Sequence, residues 1–151
     1  MTVARTVQFI CVGTSHACTT RDLSGNKFQQ NVSELLLTVN PDNFLSISNN
    51  HFFGSFPQKH PWHSSLRGLA FANNDLTGPA PNFTGLQLPY LQILLLQQNR
   101  LTGDLPLPPA SNFKGLLAYS NNFTALDPNT WCKYYSDALF INLVDNAQPL
   151  A

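Results

Sequence analysis

The sequence predicts a solenoid of stacked parallel β-strands, and three observations carry that expectation. Asn26, Asn50, Asn74, Asn99, Asn121 and Asn146 recur at intervals of 24, 24, 25, 22 and 25 residues. In the four central turns an apolar residue stands three and five positions before the asparagine and another two positions after it. Three turns then place glycine four residues and proline seven residues past the asparagine: Gly54 and Pro57, Gly78 and Pro81, Gly103 and Pro106. Self-similarity at a nearly fixed period is the signature of a repeat array, in which each unit buries its apolar face only by stacking on the next.

The frame justifies each element in turn. Leu94, Leu96, Asn99, Leu101, Gly103, Leu105 and Pro106 correspond to Leu69, Phe71, Asn74, Leu76, Gly78, Ala80 and Pro81, and to Leu45, Ile47, Asn50, Phe52, Gly54, Phe56 and Pro57. Arg21, Leu23, Asn26, Phe28 and Val32 open the series in weaker form; Leu116, Ala118, Asn121, Phe123, Ala125 and Pro128 continue it, and Ile141, Leu143 and Asn146 begin a sixth turn. Alternating residues such as Leu45 and Ile47 point inward from a short strand and their neighbours point outward. The asparagine at the following bend forms a structural ladder, its amide pairing backbone groups that leucine would leave stranded. Thr-Gly permits an unusual backbone turn, and proline stiffens a return segment that needs no ladder donor. Leu66, Leu91 and Phe113 add an apolar anchor eight residues before their asparagines. Six strands at about 4.8 Å spacing span roughly 24 Å, a short curved slab.

The pattern L-x-x-L-x-L-x-x-N-x-L-T-G-x-[LAF]-P resembles the leucine-rich repeat in its plant-type form, from about Cys18 to Asn146. Similar repeats occur in ectodomains of plant receptor-like kinases and receptor-like proteins, in polygalacturonase-inhibiting proteins and in surface antigens of some protists. The resemblance implies a right-handed superhelix with a short parallel sheet on its concave face and a mostly irregular or 3₁₀ convex side. Residues 1–17 then form an N-terminal segment or partial cap, and residues 18–151 an array of about six turns, the last incomplete. Cys11 and Cys18 resemble the cysteine pair that closes the N-terminal cap in this family, although "CVGTSHAC" lacks the tryptophan usual there. Cys132, beside Trp131, is then a buried thiol.

Composition narrows function. Charged residues make up 11% of the chain and the formal net charge is zero, so nothing offers a handle for a phosphate backbone or an anionic membrane. No apolar stretch approaches the length that crosses a bilayer. The opening "MTVARTVQFICVGTSHACTT" makes a poor signal peptide, its run from Val7 to Val12 being short and broken by Gln8. Three Asn-x-Ser/Thr sequons, at Asn31, Asn82 and Asn122, are candidate glycan acceptors and with the resemblance suggest an extracellular or cell-surface setting. Only "AQPLA" follows Asn146, so the last apolar edge is expected to meet a continuing receptor-like chain or a partner.

No catalytic, cofactor or metal site is expected. Glu34 is the only glutamate and the seven aspartates are scattered, without a recurrent carboxylate pair. Cys11, His16 and Cys18 lack a fourth ligand at zinc-like spacing. His60 and His63 flank "PW" in the variable segment between Pro57 and Leu66, which reads as a solvated loop with Trp62 tucked into the core. The expected function is recognition of a protein or peptide ligand on the concave strand face. Its candidate residues are Ser46, Ser48, Asn49, Asn73, Leu95, Gln97, Gln98, Leu117, Tyr119 and Ser120, with Leu95, Leu117 and Tyr119 forming an apolar-aromatic anchor. A structural surface coat without a specific ligand and an intracellular interaction scaffold are the alternatives.

Overall fold

The computed structural model describes residues 8–10, 20–39, 41–81, 88–105, 112–125, 138 and 140–147. The expected Cys11–Cys18 bridge, Cys132 with Trp131, and Asn82 lie outside these residues. The main sheet runs in the order β1 (Gln8–Ile10), β2 (Thr20–Asp22), β3 (Phe44–Ser46), β5 (Gly68–Ala70), β7 (Ile93–Leu95), β9 (Gly115–Leu117) and β11 (Phe140–Asn142). Every neighbouring pair is parallel except β1, which lies antiparallel against β2 at the first edge. Each turn therefore contributes one parallel strand in unbroken register. Leu45, Leu69, Leu94 and Leu116 stack one above another in the interior, as do Ile47, Phe71, Leu96 and Ala118, all fully buried. Phe52, Leu76, Leu101 and Phe123 close the core past the bend, and Leu66, Leu91 and Phe113 close it before the strand.

Each bend depends on its asparagine. The Asn74 amide donates to Ile47 O of the preceding turn at 3.0 Å and to Phe71 O of its own turn at 3.3 Å, while its Oδ1 accepts from Phe52 N at 2.9 Å. Asn50, Asn99, Asn121 and Asn146 repeat the arrangement, reaching back to Leu23, Phe71, Leu96 and Ala118 O at 2.8–3.1 Å. Asn26, in the first turn, donates to Leu23 O and Ser24 O within its own bend. The chain enters the ladder through a left-handed residue, at Gly25, Asn49, Asn73, Gln98, Ser120 and Asp145, with φ between 51° and 65°.

The return side differs from the expected irregular path. The segments just past the asparagines pair into a second parallel sheet in the order β10 (Asn122–Ala125), β8 (Arg100–Asp104), β6 (Asp75–Pro79) and β4 (Phe53–Gly54). Gly54, Gly78 and Gly103 take φ of 73–83° within it. Ala125 stands where the fifth turn lacks that glycine, and there the ladder slips register between Phe123 and Ala125. One helix, α1 (Val32–Thr38), occupies the first return, capped by Asn31, and buries Val32, Leu35 and Leu36. No helix among the described residues is long and apolar enough to cross a membrane.

The segment 57–66 is also less solvated than its sequence suggests. His63 is exposed and its Nδ1 lies 2.8 Å from Ser65 Oγ, but His60 is only 7% exposed. The His60 ring packs edge-on against Trp62 with centroids 4.3 Å apart, and Trp62 in turn packs on Phe71. Its Nε2 has no hydrogen-bond partner among the described residues, and burial pulls its pKa below the ordinary 6.5.

Two outcomes test these assignments. Asn74→Ala should lower unfolding free energy by about 3 kcal/mol, because it strands buried carbonyls and an N–H. Asn73→Gly next to it should cost less than about 1 kcal/mol, since Asn73 is exposed and glycine tolerates its φ. Equal losses in urea titrations would show that the ladder does not hold the bends. For His60, the folded chain keeps the ring neutral while the unfolded chain takes up a proton near pH 6.5. Its stabilising contribution is therefore complete above that pH and falls as pH drops through it and on through the lower folded value. Denaturation midpoints followed from about pH 7.5 to about pH 5 should fall less steeply in His60→Phe than in the wild type; identical slopes would assign the pH dependence elsewhere.

Candidate recognition face

The strand pleat sends three residues per turn outward, and strand register arranges them as columns. One column is Ser46, Ala70, Leu95, Leu117 and Asn142. The next, two residues along each chain, is Ser48, Ala72, Gln97, Tyr119 and Val144. A third comprises Phe44, Gly68, Ile93, Gly115 and Phe140, which the sequence reading did not include. The same alternation would have found it, two positions further before each bend.

That third column has an unusual construction. A Cβ placed on Gly68 would sit 2.4 Å from the Phe44 ring, and one on Gly115 would sit 2.2 Å from the Phe140 ring. Each phenyl ring thus lies across the bare backbone of the neighbouring strand, shielding glycines that would otherwise weaken a sheet interior. Phe140 remains 41% exposed and Val144 65% exposed, beside half-buried Ile93, Leu95, Leu117 and Tyr119. The expected anchor of Leu95, Leu117 and Tyr119 therefore sits in a larger apolar area.

The first half of the face is a different surface. Ser46 and Ser48, expected as accessible ligand contacts, are only 6% and 9% exposed, and Ser48 Oγ accepts a hydrogen bond from Ala72 N at 3.1 Å. Their side chains are too short to project past the backbone and side chains around them, so with Ala70 and Ala72 they form a floor. Asn49, Asn73, Gln98 and Ser120 lie past the strand ends, at the left-handed bends, and so border the face. Asn73 Nδ2 donates to Asn49 Oδ1 at 3.0 Å, and these two asparagines line an open polar hollow of about 270 Å³.

From β3 to β11 the three columns carry no Asp, Glu, Lys, Arg or His. Charge lies around that area: Asp22 of β2 stands in register with Ser46 at the first edge, Arg67 lies 5.7 Å above the Tyr90 ring before the strands, and Asp75 meets Arg100 at 3.4 Å past the bends. Within the uncharged area Gln97 Oε1 is buried and has no hydrogen-bond partner among the described residues. An acceptor in that condition is unsatisfied until a donor reaches it. Among the described residues no group of three His, Cys, Asp or Glu could hold a metal ion.

No family model matches the chain. Receptor-like protein 32 of Arabidopsis thaliana is 33% identical over 113 residues, covering 70% of this chain and 13% of that protein. Receptor-like protein 18 of the same plant is 33% identical over 97 residues, covering 63% and 12%. The chain thus spans about an eighth of the length of these curated relatives. Among solved structures, PEPR1–AtPEP1 superposes with a TM-score of 0.71 over 93% of this chain and 20% of that one, at 21% identity. A TDR receptor gives 0.62 at 27% identity, covering 82% and 21%. The leucine-rich repeat ectodomain of the Arabidopsis thaliana receptor kinase SOBIR1 gives 0.58 at 25% identity, covering 71% and 60%. Coming after the asparagine ladder, the phased glycine turns and the stacked parallel strands, these likenesses identify the chain as a plant-type leucine-rich repeat protein.

Proposed function

We propose that the array is a non-catalytic recognition module that binds an extended, uncharged protein or peptide segment on its sheet face, as one stretch of the extracellular part of a longer receptor-like chain. The observation that carries this reading is the uncharged apolar area of Ile93, Leu95, Leu117, Tyr119 and Phe140. Relatives named receptor-like proteins, and structural neighbours named as receptors, support the extracellular and receptor-like part.

The chemistry of the face selects the binding mode. Backbone groups of the interior strands are consumed by the parallel ladder, so a ligand crossing them is held by side chains and not by strand addition. Tyr119 supplies contact area with few rotors to freeze, and Leu95 and Leu117 supply dry surface beside it. Gln98, exposed at the border, offers an amide donor and acceptor to the backbone of the same segment. A charged ligand side chain seated here would lose its hydration without meeting an opposite charge, which disfavours it.

Selection of short random peptides on the immobilised chain tests the proposal. Recovered peptides should share an uncharged, apolar anchor. Their affinity should fall by roughly 30-fold in Tyr119→Ala, the usual scale for a central aromatic contact of about 2 kcal/mol, and further in Leu117→Asp. Peptides without a common anchor, or binding indifferent to both substitutions, would remove the sheet face as the site.

A further inference from the structure

We propose that Asn122 is an acceptor for an N-linked glycan and that Asn31, which carries the same motif, is closed to glycosylation in the folded chain. Both asparagines begin an Asn-x-Ser/Thr sequon, with serine at position 33 and threonine at position 124, so sequence alone marks both as candidates. The fold separates them.

Asn122 opens β10 directly after the ladder residue Asn121. Strand alternation turns Asn122 and Thr124 to solvent on either side of the fully buried Phe123, so both halves of the motif are exposed together. No side-chain hydrogen bond to another described residue occupies the Asn122 amide. A glycan there stands past the strand ends, on the flank that also carries Asp75 and Arg100, outside the three outward columns.

Asn31 is committed to structure instead. It caps α1, its Oδ1 accepting from Ser33 N at 2.9 Å and from Ser33 Oγ at 2.7 Å, so the hydroxyl of the motif is tied to the asparagine itself. Its amide is wedged on the backbone of Gly54, where an added Cβ would lie 2.8 Å from Nδ2 and 2.7 Å from Oδ1. On that side the amide has no room for a methyl group, and still less for a sugar.

Transfer joins Asn122 Nδ2 to the anomeric carbon of an oligosaccharide carried on a polyprenyl diphosphate. The anomeric C–O bond breaks, the diphosphate departs with the bonding electrons, and the amide gives one proton to a base of the transferase. In the native host this depends on the extracellular setting proposed above; the test does not, because it supplies export.

The chain is expressed in eukaryotic cells behind an appended secretory leader and a reporter sequon, in an Asn82→Gln background, with cells and medium analysed together. The glycosidase-sensitive mass beyond the reporter should vanish in Asn122→Gln and in Thr124→Ala, and persist in Asn31→Gln. In the protease-resistant, folded fraction, peptides containing Asn31 should be unmodified. A glycosylated reporter with Asn122 bare would overturn the proposal. So would a glycan on Asn31 in the folded fraction.

Discussion

The backbone polar groups buried at each bend are the constraint on which the rest of the solenoid depends. A chain that reverses direction inside an apolar stack must hide carbonyls and N–H groups that no strand partner can reach. One asparagine amide answers this by donating to a carbonyl of the previous turn and to its own bend, while accepting from the previous turn's N–H. These bonds join consecutive turns, so the asparagine and the strand before it must hold a fixed mutual spacing. Variation in repeat length is pushed elsewhere. The interval from Asn99 to Asn121 is 22 residues and that from Asn74 to Asn99 is 25, yet strand register from Gly68 through Ile93 to Gly115 is unbroken.

Two further features follow from the same bonds. The residue ahead of each asparagine must swing into the left-handed region, and only Gly25 does so as glycine. Asn49, Asn73, Gln98, Ser120 and Asp145 accept that conformation at roughly 1 kcal/mol each, which the paired amides next to them offset. Beyond the asparagine, the pinned N–H groups of Phe52, Leu76, Leu101 and Phe123 align successive turns. Segments held that close and parallel pair with one another, and the second sheet results. Leu-Thr-Gly reads in sequence as turn chemistry because glycine and proline punctuate it. The pairing is a property of the stack, so no single repeat displays it.

The repeat, its inward residues and its bends were legible because they depend on periodicity. What was not legible depends on the height of neighbouring side chains. Ser46 and Ser48 alternate outward as anticipated, but sit too low to be reached. Gly68 and Gly115 suggest no surface on their own; only register reveals that Phe44 and Phe140 lie over them. His60 lies in a segment without repeat phase, and its burial follows from contact with Trp62, itself resting on Phe71. Asn31 reads in sequence only as a sequon; that it caps α1 and lies against Gly54 is visible only in the fold.

The size of the face bears on what it can hold. The five strands from β3 to β11 span roughly 19 Å, and the five residues from the first outward column to the last span about 13 Å, giving a footprint of roughly 250 Å². A stable protein–protein interface typically covers about 800 Å² on each partner, so this stretch alone matches a short extended segment better than a folded domain. Zero formal charge and an uncharged face also remove long-range steering. For a segment bound as proposed, association would proceed at the ordinary rate set by orientation, and discrimination would reside in how slowly it leaves. A surface of that kind selects by fit, and fit is fixed by side chains whose places are set by strand register. On the proposed reading the asparagine ladder, which lies outside the face, would govern selectivity by holding Leu95, Leu117 and Tyr119 in line.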